Sequence, residues 1–261
     1  MTRLWPILFA ASMLTVPAPG GAVEGVDLAI VLAVDTSSSV STYEFNLQMR
    51  GLAEAFRHPG VHDAIAASAP NGIAVTLVQW ASPDAQVPAF DWTEVHGPTT
   101  AELVASKIDR TPRLVNEGGT AISHAIDFSI VMLGRVSAAR KVIDVSGDGR
   151  NNMGGYLITA TPRAVAAGIT VNGLAILNED PALDEYYRLA VIGGIGAFVI
   201  VADDYDDFAD AIRLKLIQEI MATPIAALPA PRYAASSPRA GRNRISPAAR
   251  AFLYSTTVAT R

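Results

Sequence analysis

Apolar runs and amphipathic stretches alternate along the chain. VDLAIVLAVD (26–35), GIAVTLVQWAS (72–82), RKVIDVSGDG (140–149), ITVNGLAIL (169–177) and AFVIVA (197–202) hold short, nearly continuous apolar runs rich in valine and isoleucine. Runs of this length and composition predict strands buried on both faces. Between them, residues 41–59, 98–109, 120–133, 157–168, 181–192 and 203–222 predict helices. In the first, Phe45, Met49, Leu52 and Phe56 share one face. Ser41 with Glu44 three residues on is a capping-box pattern, and Pro59 with Gly60 predicts the end of that helix. AQVPAFDW (85–92) predicts a short edge strand, because a sheet tolerates Pro88 best where no neighbour needs its missing N–H. The acidic run DDYDDF predicts the first turn of the last helix, where carboxylates suit the helix dipole.

Strand and helix in repetition imply an α/β fold. The expectation is a doubly wound, mostly parallel, Rossmann-like sheet flanked by helices on both faces, with one short antiparallel edge strand. Such sheets bind ligands beyond the carboxyl ends of their strands, so the strand-to-helix loops are the places to look for chemistry.

The ends read differently from the middle. A basic MTR, a 13-residue apolar stretch and the small-residue exit PAPGGA predict a signal peptide over 1–22, with Gly20 and Ala22 at the cleavage site. The folded domain is then expected over 23–222, followed by a flexible Pro/Ala/Arg-rich tail over 223–261. No later segment has about 20 uninterrupted apolar residues, so no membrane span is expected in the mature chain. An exported protein, periplasmic or secreted, follows from these features. There is no cysteine, which removes disulfides, thiolate metal sites and a cysteine nucleophile. All 25 acidic residues precede residue 232, whereas Arg232, Arg239, Arg242, Arg244, Arg250 and Arg261 lie beyond it. The acidic body disfavours nucleic acid as a partner and is compatible with a cation.

Three loops carry unusual polar residues. The first is Asp35-Thr36-Ser37-Ser38-Ser39, directly after the first apolar run. The second is NEGGTAISHAI, in which Gly118 and Gly119 allow a bend before Thr120. The third is DVSGDGRNN, with Asp148 at the end of a predicted strand. Asp35, Ser37 and Ser39 alternate, so an extended backbone turns all three to one side, while Thr36 and Ser38 become spacers or local backbone partners. Two carboxylates and three hydroxyls are all oxygen donors. They suit a hard divalent cation, Mg²⁺ or else Mn²⁺ or Ca²⁺, and disfavour zinc. Two aspartates balance a 2+ charge, which leaves the cation electrophilic toward a carboxylate brought by a partner protein.

Asp-x-Ser-x-Ser after a first strand, Gly-Thr before a helix and Asp-Gly after a later strand resemble the metal-ion-dependent adhesion site of von Willebrand factor type A (vWA) domains. The resemblance spans roughly residues 24–222 and extends to bacterial exported proteins with such a domain. It implies that Ser37 and Ser39 coordinate the cation directly, Thr120 directly or through water, and Asp35 and Asp148 largely through water. VSGDG differs from the commoner Thr-Asp-Gly of that loop, and Asp148 is the best match.

Other signals carry less. Pro59 and Gly60 separate His58 from His62, which predicts a solvated loop rather than a metal pair. His124 is expected to be structural or to support the site indirectly. Asp144, inside an apolar strand, needs a partner, expected to be a hydrogen bond near the strand end. GGIGAF (193–198) precedes a strand and so lacks the context of a dinucleotide-binding loop. Neither a phosphate-binding Gly-Lys-Ser/Thr loop nor a Gly-x-Ser-x-Gly elbow is present. The expected function is an exported, metal-dependent, adhesion-type protein-binding module without catalysis. Two rivals keep the fold: a metal-assisted phosphoester hydrolase and a metal-free scaffold.

Overall fold

The computed structural model describes residues 25–221; the expected signal peptide and arginine-rich tail lie outside the described residues. Strand β1 (Val26–Asp35) is buried along its whole length except at Asp27, as its apolar run requires. It sits between β2 (Ile73–Trp80) and β4 (Ala138–Gly147), both parallel to it. The sheet continues outward to β3 (Gln86–Val95) on one side and to β5 (Ile169–Ile176) and β6 (Val199–Ala202) on the other. The order is β3-β2-β1-β4-β5-β6, and only β3 is antiparallel. It is the predicted edge strand, ten residues long rather than short, with register shifts that place Pro88 opposite Val78.

Side chains of β1 alternate between two cores. Leu28, Ile30, Leu32 and Val34 pack under helices α1 (Thr42–Arg57), α2 (Pro59–Ser68), α3 (Pro98–Asp109) and α7 (Phe208–Met221). Ala29, Val31 and Ala33 pack under α4 (Ile122–Leu133), α5 (Leu157–Ala166), α6 (Leu183–Tyr186) and a π-helical turn, Tyr187–Val191.

The predicted capping box is present. Ser41 Oγ accepts the Glu44 N–H at 3.3 Å, and Glu44 Oε2 accepts the Ser41 N–H at 2.7 Å. Ser41→Ala is expected to cost about 1 kcal/mol of unfolding free energy, measured by urea denaturation, because the N–H of Glu44 loses its acceptor.

Several local expectations are corrected. His58 does not enter a solvated loop: its Nδ1 accepts the Gly60 N–H at 3.0 Å and caps α2, with Pro59 in the first turn, where a missing N–H costs nothing. The run 203–207 is a loop and not the start of α7. Asp204 Oδ1 accepts the N–H groups of Asp206 and Asp207, a local bond that competes with helix. The helix expected over 181–192 divides into α6 and the π-helical turn. Thr120 precedes α4 rather than opening it, and β4 ends at Gly147.

Asp144 has a stronger partner than a hydrogen bond near a strand end. It is buried, and its Oδ1 lies 2.6 Å from Nζ of Lys215, itself fully buried on α7. Lys215 also donates to Glu219 Oε1 at 2.6 Å, and Asn172 of β5 donates to the same oxygen at 2.9 Å. A buried cation between two carboxylates therefore ties α7 to the middle of the sheet.

Candidate metal centre

The chain leaves β1 toward α1 on one face and leaves β4 toward α5 on the other. A crevice opens at the carboxyl edge where connections part in this way. Val34 lies opposite Ser146 in the β1–β4 register, so Asp35 and the Gly147-Asp148 step emerge side by side. The first loop, the Gly118–Thr120 segment and the loop after β4 all meet there.

The structure brings four of the five predicted site residues into one hydrogen-bonded chain. Asp35 Oδ1 accepts the Ser37 N–H at 2.8 Å. Ser37 Oγ and Ser39 Oγ are 3.2 Å apart, and Ser39 Oγ donates to Asp148 Oδ1 at 2.8 Å. Thr120 makes no direct bond to these groups but lies against the loop that carries Asp148: a Cβ at Gly149 would lie 3.3 Å from its Oγ1. Asp35 and Asp148 are fully buried, while Ser39 is exposed, so the floor is closed and the lip is open to solvent.

Thr36 and Ser38 are not local spacers. Thr36 Oγ1 donates to Trp80 O at 3.1 Å, and Ser38 Oγ accepts the Gly118 N–H at 3.0 Å. They bind the first loop to β2 and to the second loop. Other supports escaped the sequence reading. Arg113 Nη2 donates to the carbonyls of Thr36 and Ser37 at 2.9 and 3.1 Å. Asn152 Oδ1 accepts the Thr120 N–H at 2.8 Å, and Asn151 Oδ1 accepts the Ser123 N–H at 3.0 Å. The paired asparagines after Asp-Gly-Arg were the available signal, since asparagine amides readily satisfy loop backbone. His124 is structural: its Nδ1 accepts the Gly155 N–H at 3.3 Å.

Electrostatics follow from burial. Burial and the nearby Asp148 carboxylate push Asp35 up to about 7, against the hydrogen bonds from Ser37. Burial also raises Asp148, against hydrogen bonds from Ser39 and Tyr205. Neither carboxylate joins an ion pair among the described residues. Asp35 Oδ2 is buried with no hydrogen-bond partner. A divalent cation fits this donor set: it would compensate two buried negative charges and occupy oxygens that the protein leaves unused. Among the described residues, no group of three or more histidine, cysteine or carboxylate side chains is arranged to hold a metal, so a cation at this edge depends on the hydroxyls.

Comparison with known proteins agrees with the fold. Proximal thread matrix protein 1 from the mussel byssus superposes with a TM-score of 0.55 at 17% identity, over 77% of this chain and 48% of that one. A second structure of that protein, described as having a zinc-occupied MIDAS motif, gives 0.51 at 16% identity, over 74% and 45%. A von Willebrand factor type A protein from Catenulispora acidiphila gives 0.52 at 15% identity, over 74% and 42%. The PilB minor pilin from Streptococcus sanguinis gives 0.57 at 12% identity, over 80% and 65%. The chain thus spans about half the length of the first of these proteins. No curated protein matches its sequence. Identities this low establish the architecture alone, a vWA-like α/β fold. The sequence profile of one family matches residues 25–224, the same stretch that builds the sheet and gathers the three loops, and the chain therefore belongs to the family described as "Protein of unknown function (DUF1194)".

Proposed function

We propose that the protein is a metal-dependent, adhesion-type binding module whose site holds a divalent cation, Mg²⁺ or Mn²⁺, and accepts a carboxylate from a partner protein. The observation that carries this reading is the chain of oxygens from Asp35 through Ser37 and Ser39 to Asp148, with the buried Asp35 Oδ2 unpartnered. Asp35, Ser37, Ser39, Thr120 and Asp148 would hold the cation. The cation would supply an electrophilic position for an anionic oxygen at the open lip beside Ser39. Similarity in fold to a protein with a zinc-occupied MIDAS motif supports a metal at this edge and leaves its identity to experiment. The oxygen-only donors favour the harder ions.

A role in binding rather than catalysis is supported by His124, the nearest histidine candidate for a base, whose Nδ1 is engaged with loop backbone. Export is part of the proposal. It rests on the basic-apolar-small pattern of residues 1–22 and is compatible with fold similarity to a minor pilin and a byssal thread protein. No helix among the described residues is long and apolar enough to cross a membrane.

The test is a cross-linking pull-down with the full chain in Mg²⁺, with and without chelator, beside an Asp148→Ala variant. Partners retained only by the metal-loaded wild-type protein are expected. Identical retention in all three conditions would overturn the reading, as would metal-dependent phosphoester hydrolysis lost in Asp148→Ala.

A further inference from the structure

We propose that Tyr187 and Tyr205 are a pair of positioning residues that hold the outer carboxylate oxygens of Asp35 and Asp148 and thereby set the cation affinity of the site. This rests on the reading above that those carboxylates hold a divalent cation.

Tyr205 comes from the loop between β6 and α7. It lies among four aspartates, but its ring is turned inward and is 4% exposed. Its Oη donates to Asp148 Oδ2 at 3.1 Å, while Asp148 Oδ1 takes the Ser39 hydroxyl. One oxygen of Asp148 thus faces the phenol and the other faces the serines.

Tyr187 stands in the corresponding place for Asp35. It opens the π-helical turn, closed by the Ile192 N–H to Tyr187 O bond at 3.1 Å. Such turns recur at functional sites because they shift the facing of a side chain against the regular helix. Tyr187 is fully buried, and its Oη has no hydrogen-bond partner, as is true of Asp35 Oδ2. Both orphan atoms border one point: a Cβ at Gly147 would lie 2.8 Å from Asp35 Oδ2 and 3.0 Å from Tyr187 Oη. On the next strand, a Cβ at Gly173 would lie 2.6 Å from Tyr187 Cδ1. Neither glycine has a positive φ, so both serve close approach rather than an unusual backbone. The sheet omits two side chains to seat this ring with its hydroxyl beside Asp35.

A buried donor and a buried acceptor that border one point can be joined by one ordered water or by a turn of the carboxylate. A phenol is neutral at ordinary pH and offers one O–H to donate. Each carboxylate oxygen has two lone pairs, so Asp35 Oδ2 can accept the phenol on one and leave the other, with the carboxylate charge, to a cation. Removing such an outer partner typically costs about 10–100-fold in metal affinity.

Calorimetric titration of Mg²⁺ and Mn²⁺ into the full chain tests this, together with the melting temperature of the metal-free protein. The proteins compared are wild type, Asp35→Ala, Tyr187→Phe, Tyr205→Phe and Gly147→Ala. Wild type is expected to bind and Asp35→Ala not to bind. Each tyrosine variant should bind about 10-fold more weakly or worse. Metal-free Tyr187→Phe should melt close to wild type, because it loses at most one hydrogen bond; a mainly structural role would lower stability without lowering affinity. Gly147→Ala, which fills the gap, should weaken binding too. In wild type, cation addition should perturb the near-ultraviolet absorption of tyrosine. Wild-type affinity in both phenylalanine variants beside a dead Asp35→Ala would overturn the tyrosine proposal and leave the metal site standing. So would an unperturbed tyrosine spectrum on saturation. Absence of divalent binding by wild type would overturn both.

Discussion

Asp35→Ala is expected to abolish the rise in melting temperature that Mg²⁺ or Mn²⁺ gives the wild-type protein. A ligand at 100 times its dissociation constant stabilises the folded state by about 2.7 kcal/mol. For a domain of this size that corresponds to a shift of roughly 5–10 °C. The metal-free comparison should show a much smaller effect. Asp35 is fully buried, and its Oδ2 has no partner. Burial and the Asp148 charge oppose its ionised form. Alanine removes that opposition but also the acceptor of the buried Ser37 N–H, so metal-free Asp35→Ala should melt close to metal-free wild type. Differential scanning calorimetry with and without cation reads both effects. An unchanged cation shift in the variant would remove Asp35 from the site. A large loss of metal-free stability would show that the carboxylate is mainly structural.

Lys215→Met is expected to be the most destabilising single change, costing about 3–5 kcal/mol, because it leaves Asp144 and Glu219 buried without their cation. Burial and the Asp144 charge push Glu219 up, and only the Lys215 and Asn172 contacts oppose them. An acid whose folded-state value lies above its unfolded value favours folding at low pH and loses that contribution as pH rises between the two. The loss in Lys215→Met should therefore be larger at pH 8 than at pH 5, as measured by urea denaturation. Adding Asp144→Asn and Glu219→Gln should recover most of the stability, since the buried charges then vanish together. Cation affinity should be little changed. Asp144 stands four residues before Asp148, about 13 Å along the strand, and effects at such separation are nearly additive. A deficit that did not depend on pH would mean that packing of the lysine stem, not its charge, holds α7 to the sheet.

These effects lie at opposite ends of what the sequence made legible. The candidate site residues were readable because their signal is local. Asp35, Ser37 and Ser39 alternate after an apolar run, and a strand of that kind must deliver them to the sheet edge. Asp148 was readable as a partner because apolar periodicity placed it at the end of another strand of the same sheet, and Thr120 because two glycines precede it at the start of a predicted helix. The buried Lys215–Asp144–Glu219 cluster was not readable. Lys215 and Glu219 are four apart on a helix and look like an ordinary solvent-facing pair, and only the docking of α7 onto β5 and β6 turns them inward. The run 203–207 was misread for a related reason: acidic residues before an apolar helix suit its first turn, but Asp204 bonds its own loop and Tyr205 is held inward by Asp148.

By itself, the sequence determined the layer architecture, the edge position of β3, the Ser41 cap and the residue types available to a cation. These follow from periodicity, proline chemistry and short-range hydrogen bonding, all of which act within a few residues. Only the tertiary structure decided which groups support that site: Arg113 on the carbonyls of the first loop, Asn152 on Thr120, and two tyrosines beside the two aspartates. These contacts join residues 30 or more positions apart. Their existence depends on strand order, on the absence of side chains at Gly147 and Gly173, and on the direction a ring takes when it is buried, none of which a local pattern encodes.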